Sequence, residues 1–250
     1  MKTLKALGTL VWVELKLYLR QPSAAFFSLV FPLLLLFMFG SIYGNKPSAF
    51  FGGHGMVDVS APAYIAIIMG STGLMSISII VSTYRERGIL RRFQATPLRP
   101  AAIIDAQVMV NYLMTLAGAL VLMAGARLVY HMQFKGTVGA AFLGFTLSTL
   151  SFFAIGFVVA SVARTSRIAQ TLAMILYFPN IFLSGATVPR ELFPPAMRTL
   201  SKALPMTHVV SLLQGLWRGD PWSKHWVEVA VLGGLLVVGA VVSAKAFRWE

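Results

Sequence analysis

Six long stretches without a charged residue divide this chain, at residues 21–45, 59–84, 106–126, 136–163, 168–189 and 229–244. Five of them exceed the ~18–20 residues that carry a helix across a hydrocarbon core about 30 Å thick. The last is shorter, but Trp226 and Trp249 bracket it at a spacing that suits aromatic anchors at two membrane interfaces. The pattern predicts an all-α integral membrane fold with six transmembrane helices, over 23–44, 62–83, 105–127, 137–163, 168–188 and 227–247.

The first twenty residues follow a different period. At 100° per residue, Lys2, Lys5, Thr9, Trp12, Lys16 and Arg20 fall on one arc, with Leu4, Leu7, Leu10, Val11, Leu17 and Tyr18 opposite. This predicts an amphipathic interfacial helix over 1–21, ended by Pro22. Glu14 and Lys16 interrupt the apolar run too early for a secretory signal. Glu14 falls inside the apolar arc. There it either reaches a basic partner on another segment or snorkels to headgroups and water.

Composition agrees with the bilayer as solvent. Of the 250 residues 57% are hydrophobic and 12% charged, too few to clothe a water-soluble domain. The net charge of +13 is dispersed between apolar stretches rather than gathered on one face, so it argues for membrane topology and no nucleic-acid partner. If the helices alternate, thirteen Lys and Arg fall on the side of the N-terminus and eight on the other, which predicts two cytoplasmic termini. With no cysteine, there is neither a disulfide framework nor a thiolate metal site.

Two connecting segments carry content of their own. The densest charge cluster is YRERGILRRFQATPLRP at 84–100, expected on the cytoplasmic side. Ile89, Leu90 and Phe93 give a short helix an apolar side, while Glu86, Arg87 and Arg91 point elsewhere. Thr96-Pro97 and Arg99-Pro100 stop it. Residues 203–217 are uncharged but too short to cross, and the prolines before them interrupt any continuous helix. They predict an extracellular re-entrant or interfacial hairpin between spans five and six. His54, His131, His208 and His225 lack ligand-like spacing, so polar interfacial positions suit them better than a metal site. Gly40-x-x-x-Gly44 permits close helix packing, although a chance match is expected in a glycine-rich membrane chain.

These two segments resemble the ABC-2 family of ATP-driven export permeases, in its drug and antibiotic exporter branch. The family's loop after the second span has the form E-R-G-T-L-R-R-L-x-x-T-P-L. It is matched by Glu86-Arg87-Gly88, Leu90-Arg91-Arg92 and Thr96-Pro97-Leu98, with Ile89 and Phe93 as departures. Downstream, Ser184-Gly185, Pro189, Pro194, Leu204-Pro205 and Gly215 fit the family's outer segment. With the amphipathic start and six spans the resemblance covers essentially all of residues 1–250, as a single ABC-2 type transmembrane domain.

The resemblance implies a multi-pass protein of the plasma (inner) membrane. A cytoplasmic ABC ATPase subunit would bind ATP and Mg, leaving no cofactor in this chain, and a second permease copy would complete a homodimer or heterodimer. The coupling residues would be Glu86, Arg87, Gly88, Leu90, Arg91 and Phe93, in a cytoplasmic coupling helix between spans two and three. Spans two and five would line the path at the dimer interface. On span two, Ser71, Met75, Ser78 and Ser82 share one helix face, although such serines often serve only packing. On span five, Phe178, Asn180 and Phe182 surround Pro179, with Asn180 placed to bond across the dimer or to face a cargo. A path of phenylalanine and methionine suits an amphiphilic or hydrophobic compound.

No catalytic motif is present: neither G-x-S-x-G nor H-E-x-x-H, nor a Walker-type G-x-x-x-x-G-K-[ST] for ATP. The function expected is the membrane-spanning permease subunit of an ATP-driven exporter. An ion- or proton-coupled secondary transporter or channel, or an ABC exporter of lipid-linked glycan, is the competing reading. Asp105, Arg127 and Glu228 sit at span ends rather than at membrane depth, which disfavours ion coupling.

Overall fold

The computed structural model describes residues 2–19, 26–48, 51, 53–89, 101–188, 190 and 193–246. The helices are α1 (Lys2–Leu19), α2 (Phe26–Tyr43), α3 (Met56–Glu86), α4 (Ala101–Tyr130), α5 (Val138–Val162), α6 (Ser166–Leu183), α7 (Pro195–Ser201), α8 (Pro205–Arg218) and α9 (Trp226–Ala246). Among the described residues the only β-pairing is an isolated bridge between Ser48 and His54.

Among the described residues five helices are long and apolar enough to cross a membrane: α2, α3, α4, α5 and α9. The helix expected as a span over 168–188 forms as α6 but is not among them. Its 18 residues include Ser166, Arg167, Gln170 and Asn180, which dilute its apolar character, and they rise about 27 Å. Helical structure ends at Leu183, and Gly185 turns the chain with φ 90°.

The bundle is organised around α3, which is buried over most of its length by α2, α4, α5, α6 and α8. Tyr64, Ile67, Ile68, Met69, Leu74 and Ile77 form the centre of the core. At Ser71–Ile77 the helix widens into a π-helical stretch, where it meets α5. Two glycines make that crossing close. A Cβ on Gly73 would lie 2.7 Å from the Cβ of Phe152, and Gly156 of α5 faces the Gly73 carbonyl. The helices at the rim carry their apolar residues outward: Leu128, Val138, Leu143, Val237 and Val238 are exposed. So broad an uncovered apolar surface is a lipid-facing one.

Around this centre the remaining elements are pinned by specific contacts. The α1 face formed by Val11, Leu15 and Tyr18 packs on Val110 and Met114 of α4, as the amphipathic pattern requires. Ser151 of α5 donates to the Leu232 carbonyl of α9 at 2.8 Å. The 203–217 segment, expected as a hairpin, is the single helix α8, with the short α7 before it. Helix α8 buries Met206, Val209, Val210, Leu212 and Leu213, and it ends at Gly219 in the left-handed region with φ 90°. Gly40 also has a packing purpose: a Cβ there would stand 2.5 Å from the Tyr130 ring, whose hydroxyl donates to the Phe37 carbonyl at 3.1 Å.

Candidate functional site

At the end of α3 that leads into the 84–100 segment, three helices share one polar cluster. Glu14 of α1 accepts from the Tyr84 hydroxyl at 2.8 and 2.7 Å and from Gln107 Nε2 of α4 at 2.6 Å. The basic partner expected for Glu14 is therefore replaced by two neutral donors. A carboxylate among such donors gains charge-assisted bonds without bringing a second ion out of water. The cluster continues along α4: Asn111 Nδ2 donates to the Gln107 carbonyl at 2.8 Å. Thr115 Oγ1 donates to the Asn111 carbonyl at 2.7 Å and reaches Thr72 Oγ1 of α3 at 2.8 Å.

The next two residues tie α3 to the tight turn between α5 and α6. Arg85 donates to the Ala163 carbonyl, and Glu86 Oε2 accepts from the Ser166 backbone N–H at 2.8 Å. Ser166 opens α6, so Glu86 places a negative charge at a helix N-terminus, where unpaired N–H groups and the helix dipole favour it. Arg87 is exposed, and Gly88 takes φ 64°, a left-handed turn that glycine adopts without penalty. Leu90, Arg91 and Phe93 lie outside the described residues. Arg85, Tyr84 and Gln107 had no sequence signal pointing to these roles beyond their place near a span end.

The residues expected to line a path divide into two groups. Ser71 and Ser78 are buried inside the bundle. Ser71 donates to the Ile68 carbonyl at 2.8 Å, and Ser78 bridges to the Gly156 carbonyl of α5 at 3.0 Å. Met75 is half-buried and packs against the core. The span-two face thus fastens α3 to α5. Phe178 and Phe182 stand on the outer surface of α6, Phe182 being 59% exposed. Between α6 and α2 runs an apolar groove of about 250 Å³, lined by Phe27, Phe31, Met38, Phe178, Ile181 and Phe182 among others.

Asn180 faces away from this groove and is 5% exposed. Its Nδ2 donates to the Leu176 carbonyl at 2.9 Å, and its Oδ1 accepts from the Met206 backbone N–H at 3.0 Å. Met206 lies in the first turn of α8, whose own N-cap residue, Leu204, offers no side-chain acceptor. Asn180 therefore caps α8 from the neighbouring helix. Both groups of its amide are used within the chain, and among the residues expected to line the path only Phe178 and Phe182 share the groove.

Among the described residues no three His, Asp or Glu side chains converge as metal ligands. A helical bundle with polar ties at one end and apolar helices around its rim is the build of a multi-pass membrane protein. The chain belongs to the ABC-2 type transporter family, whose sequence model matches residues 5–216. It is 27% identical over 208 residues to the inner membrane transport permease YhhJ of Escherichia coli (strain K12), covering 82% of this chain and 53% of that protein. It is 27% identical over 232 residues to the daunorubicin resistance ABC transporter permease protein DrrB1 of Streptomyces coeruleorubidus, covering 88% and 76%. Over 226 residues it is 24% identical to the probable doxorubicin resistance ABC transporter permease protein DrrC of Mycobacterium tuberculosis, covering 88% and 80%. The chain thus spans about half the length of YhhJ and most of the two drug-resistance permeases.

Proposed function

We propose that this chain is the membrane-spanning permease subunit of an ATP-driven exporter, working with a separate cytoplasmic ATPase that binds ATP and Mg. Two permeases, identical or related, pair with two ATPase subunits. The observation that carries the reading is the double tie of Arg85 to Ala163 and Glu86 to Ser166. It makes the family's coupling motif the end of the central helix and joins it to the start of α6. A displacement of the 84–100 segment by the ATPase would then be felt in α3 and α6 together. Arg87, exposed beside that tie, is the polar group best placed for the ATPase, and Leu90, Arg91 and Phe93 complete its seat.

In this reading α6 is the fifth of six spans, both termini are cytoplasmic, and the α2–α6 face meets its counterpart on the second permease. Phe178 and Phe182 then line the path between the two copies. The cargo is an apolar or amphiphilic compound, a choice supported by the phenylalanine-rich groove and by the drug-resistance names of two relatives. The test is to co-purify the ATPase with the permease in lipid and measure hydrolysis against a compound panel. Apolar compounds should stimulate it, and the double reversal Glu86→Lys with Arg87→Glu should abolish the stimulation while the permease still inserts. Stimulation unchanged by the reversal would remove the coupling role.

A further inference from the structure

A second and larger apolar groove, about 590 Å³, opens between α4 and α5 near the end of the bundle opposite the 84–100 segment. It lies on a different flank from the α2–α6 groove. Its walls are Leu116, Leu120 and Met123 of α4 with Phe142 and Phe145 of α5, and Ile65 of α3 and Leu213 of α8 form its floor. The inner end is closed where Tyr112 bonds Thr146 at 2.8 Å and meets the Phe145 ring edge-on at 5.8 Å. From there the two helices diverge, and exposed Leu120, Phe142 and Leu143 mark rims that face lipid. The volume lies within the ~300–1,000 Å³ of pockets that hold drug-sized ligands.

One polar group in this lining has capacity to spare. Arg127, near the last turn of α4, uses one guanidinium N–H on the Met132 carbonyl at 2.8 Å, and among the described residues no carboxylate lies within ion-pair distance of it. The Trp217 ring also lines the groove, with its indole N–H buried in the wall rather than open to the slot. The groove therefore offers an apolar slot with one cation in its lining.

We propose that this groove holds one acyl chain of an anionic membrane phospholipid, with its phosphate on Arg127. The charge of Arg127 selects the anionic headgroup, and the opening toward the bilayer selects a resident lipid over a compound entering from water. The site is independent of the α2–α6 path and of the ATPase, so its test needs neither.

The full-length permease, delipidated in detergent, is incubated with phosphatidylglycerol or phosphatidylcholine of identical chains and examined by native mass spectrometry. The wild type should retain phosphatidylglycerol about five-fold better, the order of one basic residue at a lipid surface. Arg127→Gln should equalise the two lipids, and Arg127→Lys should restore most of the preference. Ala124→Phe, which fills the slot from α4, should lower retention of both. A phosphatidylglycerol carrying a photoreactive group in its chain should label peptides from α4 and α5, and that labelling should be lost in Ala124→Phe. A preference that survives Arg127→Gln would overturn the proposal, as would labelling confined to α2 and α6.

Discussion

Asn180 is where the structure makes its sharpest demand on an experiment. Replacing it with leucine removes the acceptor for the Met206 N–H, at a position in the first turn of α8 where no carbonyl of the helix itself can substitute. Burying that donor unpaired costs about 1–3 kcal/mol by general measure, whereas polar bonds between membrane helices average nearer ~0.6 and reach about 1.7 kcal/mol. Because the orphan is a backbone N–H fixed in a buried helix, relief by rotation is closed to it, and the expected cost is about 1–2 kcal/mol. The Leu176 carbonyl loses less, since it keeps its place in the helical ladder.

Hydrogen exchange reads this locally. In Asn180→Leu the amides of the first turn of α8 should exchange about ten-fold faster, the equivalent of 1.4 kcal/mol, while amides in the centre of α3 change little. Asn180→Asp keeps an acceptor at the helix N-terminus and should lose less protection. Phe182→Ala is the contrast. Its side chain lies on the outer surface of α6, so exchange should stay within about two-fold of wild type, while compound stimulation of the assembled ATPase changes. If Asn180→Leu leaves the protection of Met206 to Val209 unaltered, the cap is not what holds α8 and the reasoning fails.

Other expectations follow from the same contacts. Glu14→Ala should loosen α1 from the bundle by about 1–3 kcal/mol, measured as faster proteolysis within residues 2–19, and Glu14→Gln should recover part of it because the acceptor oxygen survives. Gly156→Leu should overpack the α3–α5 crossing and lower stability by about 1–3 kcal/mol or more in detergent unfolding; a variant as stable as wild type would mean the crossing is looser than drawn. A single cysteine at Lys202, in this cysteine-free chain, should react with an impermeant maleimide from outside the cell, and one at Arg87 only after permeabilisation. The reverse pattern would invert the topology.

The spans were legible because the bilayer imposes one simple rule, and α2, α3, α4, α5 and α9 obey it with long charge-free runs. The rule is weaker where a helix is covered by protein on one side, and α6 shows this: Gln170 and Asn180 lower its apolar character. Asn180 is buried and Gln170 exposed, a difference that could not be read from a linear pattern. The partners of Glu14 were hidden for a related reason. Its own arc announced that it needed them, but Tyr84 and Gln107 lie 70 and 93 residues away, and neutral donors carry no signature. The serines of α3 show the opposite difficulty. A helix face of Ser71, Ser78 and Ser82 looks the same whether it lines a channel or fastens two helices. Only the position of Gly156 opposite Ser78 distinguishes the two.

That crossing bears on how the permease would move. α3 is held at one end by bonds from Tyr84, Arg85 and Glu86 to α1, the α5–α6 turn and α6, each charge-assisted because one partner is ionised. At its middle the backbone of Gly73 packs directly on Phe152 and Gly156 of α5, and Ser78 bonds the Gly156 carbonyl beside it, so the two helices are held together there and a pivot is easier than a slide. A push on the 84–100 segment should therefore carry the end of α3, the start of α6 and α1 as one body that pivots near Gly73 and Gly156. The π-helical stretch at Ser71–Ile77 lies at that pivot, and it is the part of α3 whose hydrogen-bond ladder already departs from the α-helical register.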